Sequence, residues 1–321
     1  MVSESAELSA PRLIFTRTRV SSRDQWAFVA KLGIALALGA TGTGLVLAGH
    51  PLTVTAGVVV LGLLYTHMVE LQHQCLHHSA FVAAAVNRRV GIVLGLPMFV
   101  SYSHYRVRHL QHHRYLGTDQ DSEFFGFDSR KPLTLGALLR GMFDYPRLAT
   151  VAGEVWRSWR GTWQYEDGQV AGRIRRDSMA EYRLMSVTVL VAAGAALAGF
   201  GELVLWLWVA PLLLVATPLH FLVELPEHVG CDTDSTDVLR NTRSISGSWV
   251  SRWFTNGNNL HVEHHAAMTV PINRLPERHA EVRQFAKYVD HNYWTFYRQV
   301  ARDVLRRPNG STPHTPEESA C

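Results

Sequence analysis

Residues 26–71 read WAFVAKLGIALALGATGTGLVLAGHPLTVTAGVVVLGLLYTHMVEL. One apolar run extends from Trp26 to Gly49, interrupted only by Lys31, and a second from Pro51 to Leu71, with the turn GHP around His50 between them. Two more runs, Leu184 to Phe200 and Leu203 to Val223, are joined by GFGE around Gly201. Each comes close to the roughly 20 residues with which a helix crosses a bilayer. The expected fold is therefore all-α: an integral membrane protein with four transmembrane helices in two hairpins and a helical cap on one side. The composition agrees, with 47% hydrophobic and 18% charged residues, against roughly 25% charged in soluble domains.

Such short turns make both hairpins open toward the same side. Arg12, Arg17, Arg19 and Arg23 precede the first run, and Arg88, Arg89, Arg106, Arg108 and Arg114 follow the second. The positive-inside tendency makes that side cytoplasmic, with both termini on it, in the cytoplasmic membrane. The net charge of +4 and pI near 9.1 reflect these flanking arginines, and no nucleic-acid motif accompanies them. The first run starts late and leads directly into the second, unlike a cleaved signal peptide. Cys75, Cys231 and Cys321 form no disulfide framework, which suits a reducing compartment. Residues 1–25 and 306–321 are polar and expected to be flexible, leaving 26–305 as one membrane domain. Within it, VGIVLGLPMFV from Val90 is too short to span and contains Pro97, so it is expected in the interface. Arginines interleaved with Trp156, Trp159 and Trp163 favour the headgroup region. The glycine-rich run GATGTG from Gly39 lies inside an apolar helix, where it fits close helix packing rather than phosphate binding.

Nine of the 17 histidines fall just beyond these runs: His73 and His77, then His109, His112 and His113, then His228, then His261, His264 and His265. The pattern H-x-x-H-H occurs at HLQHH from His109 and at HVEHH from His261. Chance supplies about 0.05 copies per chain of this composition. Neutral imidazole is a ligand for zinc, copper, nickel and iron, whereas calcium and magnesium prefer oxygen. Nine nitrogens exceed what one zinc takes and suit two metals with four or five nitrogens each, which points to a pair of irons. In each box the first and second histidines are expected to be cofacial, with the third turned toward a neighbouring metal. His73 and His77 are four apart on one helix face, with His78 adjoining them as a support or a replacement for His77.

Several other residues are candidates for supporting roles. Glu224 and Glu227 lie beside His228 and can orient ligands or bind metal. His67 and His220 lie near the ends of the second and fourth runs, where an ionisable group is either functional or a bonded core histidine. Asp119, Asp121 and Glu123 in TDQDSE follow the second box and are placed to accept hydrogen bonds from ligand N–H groups. His314, in the polar tail, has no such company.

HQCLHHSAF from His73, HLQHHRYLGTDQDSE from His109, and DVLRNTRS, NNLHVEHH and VPINRLPERH from Asp237 onward resemble the three histidine boxes and flanks of the membrane-bound fatty acid desaturase superfamily, which includes hydroxylases and carotenoid ketolases. The resemblance covers about Tyr65 to His279. Gln74 departs from the acidic residue common after the first histidine, and His78 from the usual small residue. The resemblance implies a nonheme di-iron oxidase using O2 and two external electrons on an unactivated C–H bond, with His73, His77, His109, His112, His113, His228, His261, His264 and His265 as iron ligands. It further implies desaturation of an acyl chain on a lipid or carrier, or hydroxylation or ketolation of an acyl, terpenoid or polyketide substrate. The chain carries no ferredoxin-like cysteine set, flavin motif or haem module, so a separate protein of ferredoxin type is expected to supply electrons. A histidine-rich metal transporter would need histidines or acids through the membrane, and the first and third runs contain none.

Overall fold

A computed structural model of the chain describes residues 18–121, 123 and 126–306. The first helix, α1 (Ser22–Leu47), starts on a capping box in which Ser21 accepts from the Asp24 backbone and Asp24 accepts from Ser21. Residues 22–25, expected in the flexible terminus, are thereby drawn into the helix. Gly49 (φ 73°) makes the turn, and Pro51 opens α2 (Pro51–Leu76) under a side-chain cap from His50. The two helices pack closely along the glycine-rich run: a Cβ on Gly57 would lie 2.7 Å from the Gly42 carbonyl oxygen.

The segment from Val90 does not cross. It belongs to α3 (Ala84–Gly95), which ends in a tight turn, Leu96–Met98, with Phe99 in a left-handed conformation (φ 56°). Gln72 on α2 holds this bend by donating to the Gly91 and Val100 carbonyls at 2.9 and 3.1 Å. The chain then enters α4 (Tyr102–Tyr115), α5 (Leu135–Met142) and α6 (Pro146–Trp159). Trp156 and Trp159 are exposed on α6 beside Arg157 and Arg160, whereas Trp163, expected with them at the headgroup region, is buried in the core.

Next come α7 (Gly172–Ala195), α8 (Gly201–Val204) and α9 (Thr217–Glu224), linked by wide helical turns into one stretch, Gly172–Glu227. Where four spans were expected, three helical stretches among the described residues are long and apolar enough to cross a membrane: Ser22–Leu47, Pro51–Leu76 and Gly172–Glu227. The last contains both remaining apolar runs, and Gly199 (φ 97°, ψ 1°) departs from helical backbone between them. The remainder is α10 (Val238–Asn241), β1 (Arg243–Ile245), α11 (Trp249–Phe254), α12 (His261–Ala266), α13 (Pro276–Val282), β2 (Tyr288–Asp290) and α14 (Tyr293–Arg306). The short parallel pair of β1 and β2, with Arg243 opposite Tyr288, is the departure from an all-helical chain. Cys75 and Cys231 are buried free thiols. Residues 1–17 and 307–321, with His314 and Cys321, lie outside the described residues.

One buried carboxylate sets the position of α4. Glu181 on α7 accepts from the Ser103 backbone N–H at 2.8 Å, the Ser103 hydroxyl at 2.6 Å and the Ser101 hydroxyl at 2.8 Å, and pairs with Arg88. It thus holds the unsatisfied amide end of α4, where negative charge also opposes the helix dipole. Glu181→Ala is expected to cost about 2–3 kcal/mol, read as a lowered thermal midpoint, whereas Glu181→Gln, which keeps part of the bonding, is expected to cost less.

Candidate metal centre

Four segments deliver the nine histidines. His73 lies in the last turn of α2 and His77 caps its end; His109, His112 and His113 are on α4; His228 follows the turn after α9; His261, His264 and His265 are on α12. They meet in two groups, His73, His77, His109, His113 and His264 in one, and His112, His228, His261 and His265 in the other, each with its ligand atoms within 4.8 Å of one another. His78, turned to φ 53° just beyond α2, belongs to neither.

The division within each box differs from the expected one. His109 and His113 share a group and His112 joins the other; His261 and His265 share that other group, and His264 crosses to the first. On a helix, residues four apart are offset by about 40° and residues three apart by about 60°, so the i, i+4 pair converges better. The two boxes thus exchange their middle histidines, and each group draws on both helices.

The inner nitrogens converge closely. Nε2 to Nε2 separations are 2.7 Å for His73 and His109, 2.8 Å for His77 and His109, and 3.0 Å for His113 with both His109 and His264. In the second group they are 3.2 Å for His112 and His228 and 3.1 Å for His261 and His265. Ligands at right angles on a metal with bonds of about 2.1 Å lie about 3.0 Å apart, so the spacing fits a metal in each group. The outer nitrogens have other partners. His109 Nδ1 meets Glu123 at 3.1 Å, His112 Nδ1 meets Asp121 at 2.9 Å, His228 Nδ1 meets the Asn241 carbonyl at 3.1 Å, and His261 Nδ1 meets Asn258 Oδ1 at 3.1 Å. An Nδ1 that donates to these acceptors leaves the Nε2 of a neutral ring as a lone pair, aimed at other lone pairs. A cation between them removes the conflict.

Burial strengthens this. Desolvation, together with the neighbouring imidazoles, holds His77, His109, His113, His261, His264 and His265 well below the ordinary histidine range, and His228 down to about 3. Burial opposes the charged form of His112 as well, but Asp121 and Glu123 outweigh it and raise its pKa. Burial lifts Glu123 to about 8. Most of the set is therefore neutral at pH 7, the state in which imidazole binds metal.

The family model for fatty acid desaturases matches residues 49–297. The chain belongs to the fatty acid desaturase family. Among curated proteins it is similar to a dihydrorhizobitoxine desaturase of Bradyrhizobium elkanii, at 27% identity over 230 residues, which cover 67% of this chain and 63% of that protein. The chain thus spans less than two thirds of that relative's length.

Within this family member, the acidic stretch divides. Asp121 and Glu123 reach histidines of the two groups, whereas Asp119 is exposed. Glu227 Oε2 lies 3.1 Å from His261 Nε2, and its other oxygen accepts from Asn258, so a carboxylate faces the four-histidine group. His67 is a core histidine, stacked on Trp253 with Nδ1 2.6 Å from the Phe254 carbonyl. His220 joins Glu70 and Glu224 in a third group of ligand atoms within 4.8 Å. Sequence reading missed Glu70 and Asn258. Asn258 stands three residues before His261, the one signal that marked it; the Asn241 contact uses a backbone carbonyl and has no residue signature.

Two outcomes follow from these contacts. Asp121→Asn is expected to weaken metal affinity about 10- to 100-fold, measured by competition with a chelator. For the metal-free protein, each histidine with a lowered pKa takes up a proton on unfolding once the pH falls below about 6.5. The lowered histidines outnumber the groups that work the other way, so stability is expected to fall as the pH drops below about 6.5; His112 and Glu123, whose pKa values are raised, add stability that is lost as the pH rises. Thermal midpoints from about pH 7.5 to 5.5 check the sign, and metal loading is expected to flatten the slope at its upper end.

Proposed function

We propose that this desaturase-family protein is an integral membrane, O2-dependent oxidase with two irons held by the nine histidines, and that it removes two hydrogens from an alkyl or acyl chain. The observation that carries the reading is the convergence of Nε2 atoms at 2.7–3.2 Å in groups of five and four. Hydrogen abstraction from an unactivated methylene requires an oxidant that side chains do not supply, so redox-inactive zinc does not suit the task. Two bound irons, with O2 and two external electrons, supply that oxidising power; the hydrogens and oxygen leave as water.

The side chains do the rest. Asp121, Glu123, Asn258 and the Asn241 carbonyl fix ring orientation through Nδ1, so that Nε2 faces inward. Glu227 presents a carboxylate to the four-histidine group and is anchored by Asn258. The burial of His73, His109, His112, His261 and His264 excludes bulk water from the centre, which limits side reactions of a strong oxidant.

For the membrane arrangement we favour four spans in two hairpins. The stretch Gly172–Glu227 has 56 residues, about 84 Å as a straight helix against a hydrocarbon core of about 30 Å. A reversal near Gly199 makes it a second hairpin opening to the same side as the first. The arginines before α1 and on α3 and α4 put the centre at the cytoplasmic face, where an acidic carrier of ferredoxin type would dock and deliver electrons.

The test combines metal and product analysis. The purified protein is expected to hold about two irons per chain; one zinc in their place defeats the proposal. Lipids and soluble metabolites from a host expressing wild type are compared with those from a host expressing His264→Ala. A species lighter by two hydrogens only with wild type supports desaturation, and one heavier by an oxygen atom makes the protein a hydroxylase. Retained turnover in His264→Ala removes that histidine from the centre.

A further inference from the structure

A cavity of about 360 Å³ adjoins the histidine centre between α4, α6, α7 and α9, within the range of small-molecule sites. Its wall mixes apolar side chains such as Val69, Phe99 and Phe221 with His104, Arg108, Asp144, Arg147, Glu154 and His220. Glu154 is buried, with one oxygen on Arg157 and the other without a hydrogen-bond partner, and His104 Nε2 also lacks one. Methylene groups can satisfy none of these atoms, and buried polar groups left without partners are costly.

Where the lining of this chamber approaches that of the cavity beside the histidines there is a second feature. Glu70, His220 and Glu224 bring their polar atoms within 4.8 Å of one another, with His220 Nε2 3.9 Å from Glu224. His220 lines the chamber, and Glu224 lines the cavity that His73, His109, His112, His228 and His261 share. Glu70 is 1% exposed, and neither of its carboxylate oxygens has a hydrogen-bond partner. No arginine or lysine forms a salt bridge with Glu70 or Glu224 among the described residues. Glu70 lies one helical turn before His73 on α2, and Glu224 ends α9, with the tight turn Leu225–Glu227 between it and His228.

We propose that the chamber binds a small substrate bearing an ammonium group, and that Glu70 and Glu224 receive this group and so position the carbons to be dehydrogenated beside the metals. This rests on the reading of the histidine groups as the oxidising centre. An ammonium offers three N–H donors, and two carboxylates on facing helices accept them. Arg108 and Arg147, elsewhere on the chamber wall, suit an anionic group at the other end of the same molecule.

The experiment measures binding without turnover. Protein as isolated, in neutral detergent, is titrated with 6-aminohexanoate and with 6-hydroxyhexanoate, which replaces the ammonium by a hydroxyl, and the thermal midpoint is read. The amine is expected to stabilise at a concentration at least about tenfold lower than the hydroxy acid. That preference is expected to vanish in Glu70→Gln and in Glu224→Gln, each first shown to retain the wild-type iron content. An equal response to the two probes, no response to the amine up to about 10 mM, or an unchanged preference in both variants overturns the proposal. So does a third metal ion per wild-type chain that Glu70→Gln lacks, because the carboxylates would then be metal ligands. Absence of iron from the wild type defeats the oxidase reading instead, and the comparison of probes is read separately from it.

Discussion

Nine imidazole nitrogens forced together out of water are the constraint on which the rest of the molecule depends. In neutral rings bonded through Nδ1, the inward lone pairs repel one another, and a protein without a cation to place between them would let the rings turn away. Much of the part of the molecule that carries the histidines can be understood as preventing that. Gln72, next to His73, ties α2 to α3. Glu181 binds the amide end of α4 from another helix. Ser244 on β1 accepts from the Val262 backbone and donates to Glu263, so the small strand pair holds the helix that carries the third box. Each contact acts on a helix that carries histidines of the groups, within one to about two turns of them, and each limits how far a ring can retreat.

How much of this was readable in the sequence depended on distance along the chain. The apolar runs and the H-x-x-H-H boxes are local patterns, and from them the helical class, the membrane segments and the membership of the histidine set followed. The sharing of each box between groups did not, because residues three and four along a helix are offset from the first by about 60° and 40° on opposite sides, and the choice between them is made by the facing helix. Contacts such as Glu181 with Ser103, 78 residues apart, leave no local trace. Glu70 was hidden for a different reason: a single acid at the end of an apolar run looks like the place where a span meets water. In the folded chain it is among the most deeply buried charged side chains.

That burial separates two kinds of site built on the same helices. A buried carboxylate is expensive and is retained where it pairs or functions, and Glu70 has Glu224, His220 and Asn258 beside it but no arginine or lysine paired with it among the described residues. Its position follows from helix geometry. Glu70 lies three residues before His73 on α2, a rise of about 4.5 Å, and Glu224 ends α9 one tight turn, Leu225–Glu227, before His228. Whatever the carboxylates grip is thus held about one turn from the metals by a continuous helix and a tight turn rather than by long loops. An enzyme that must choose one C–H bond among several similar ones needs a fixed distance of this kind, since misplacement by an ångström changes which bond is attacked. A tunnel that holds a long chain by apolar contact alone fixes that distance only at the chain's end; a charged anchor one turn from the oxidant fixes it locally, and lets a short, polar substrate be handled by a membrane-bound fold.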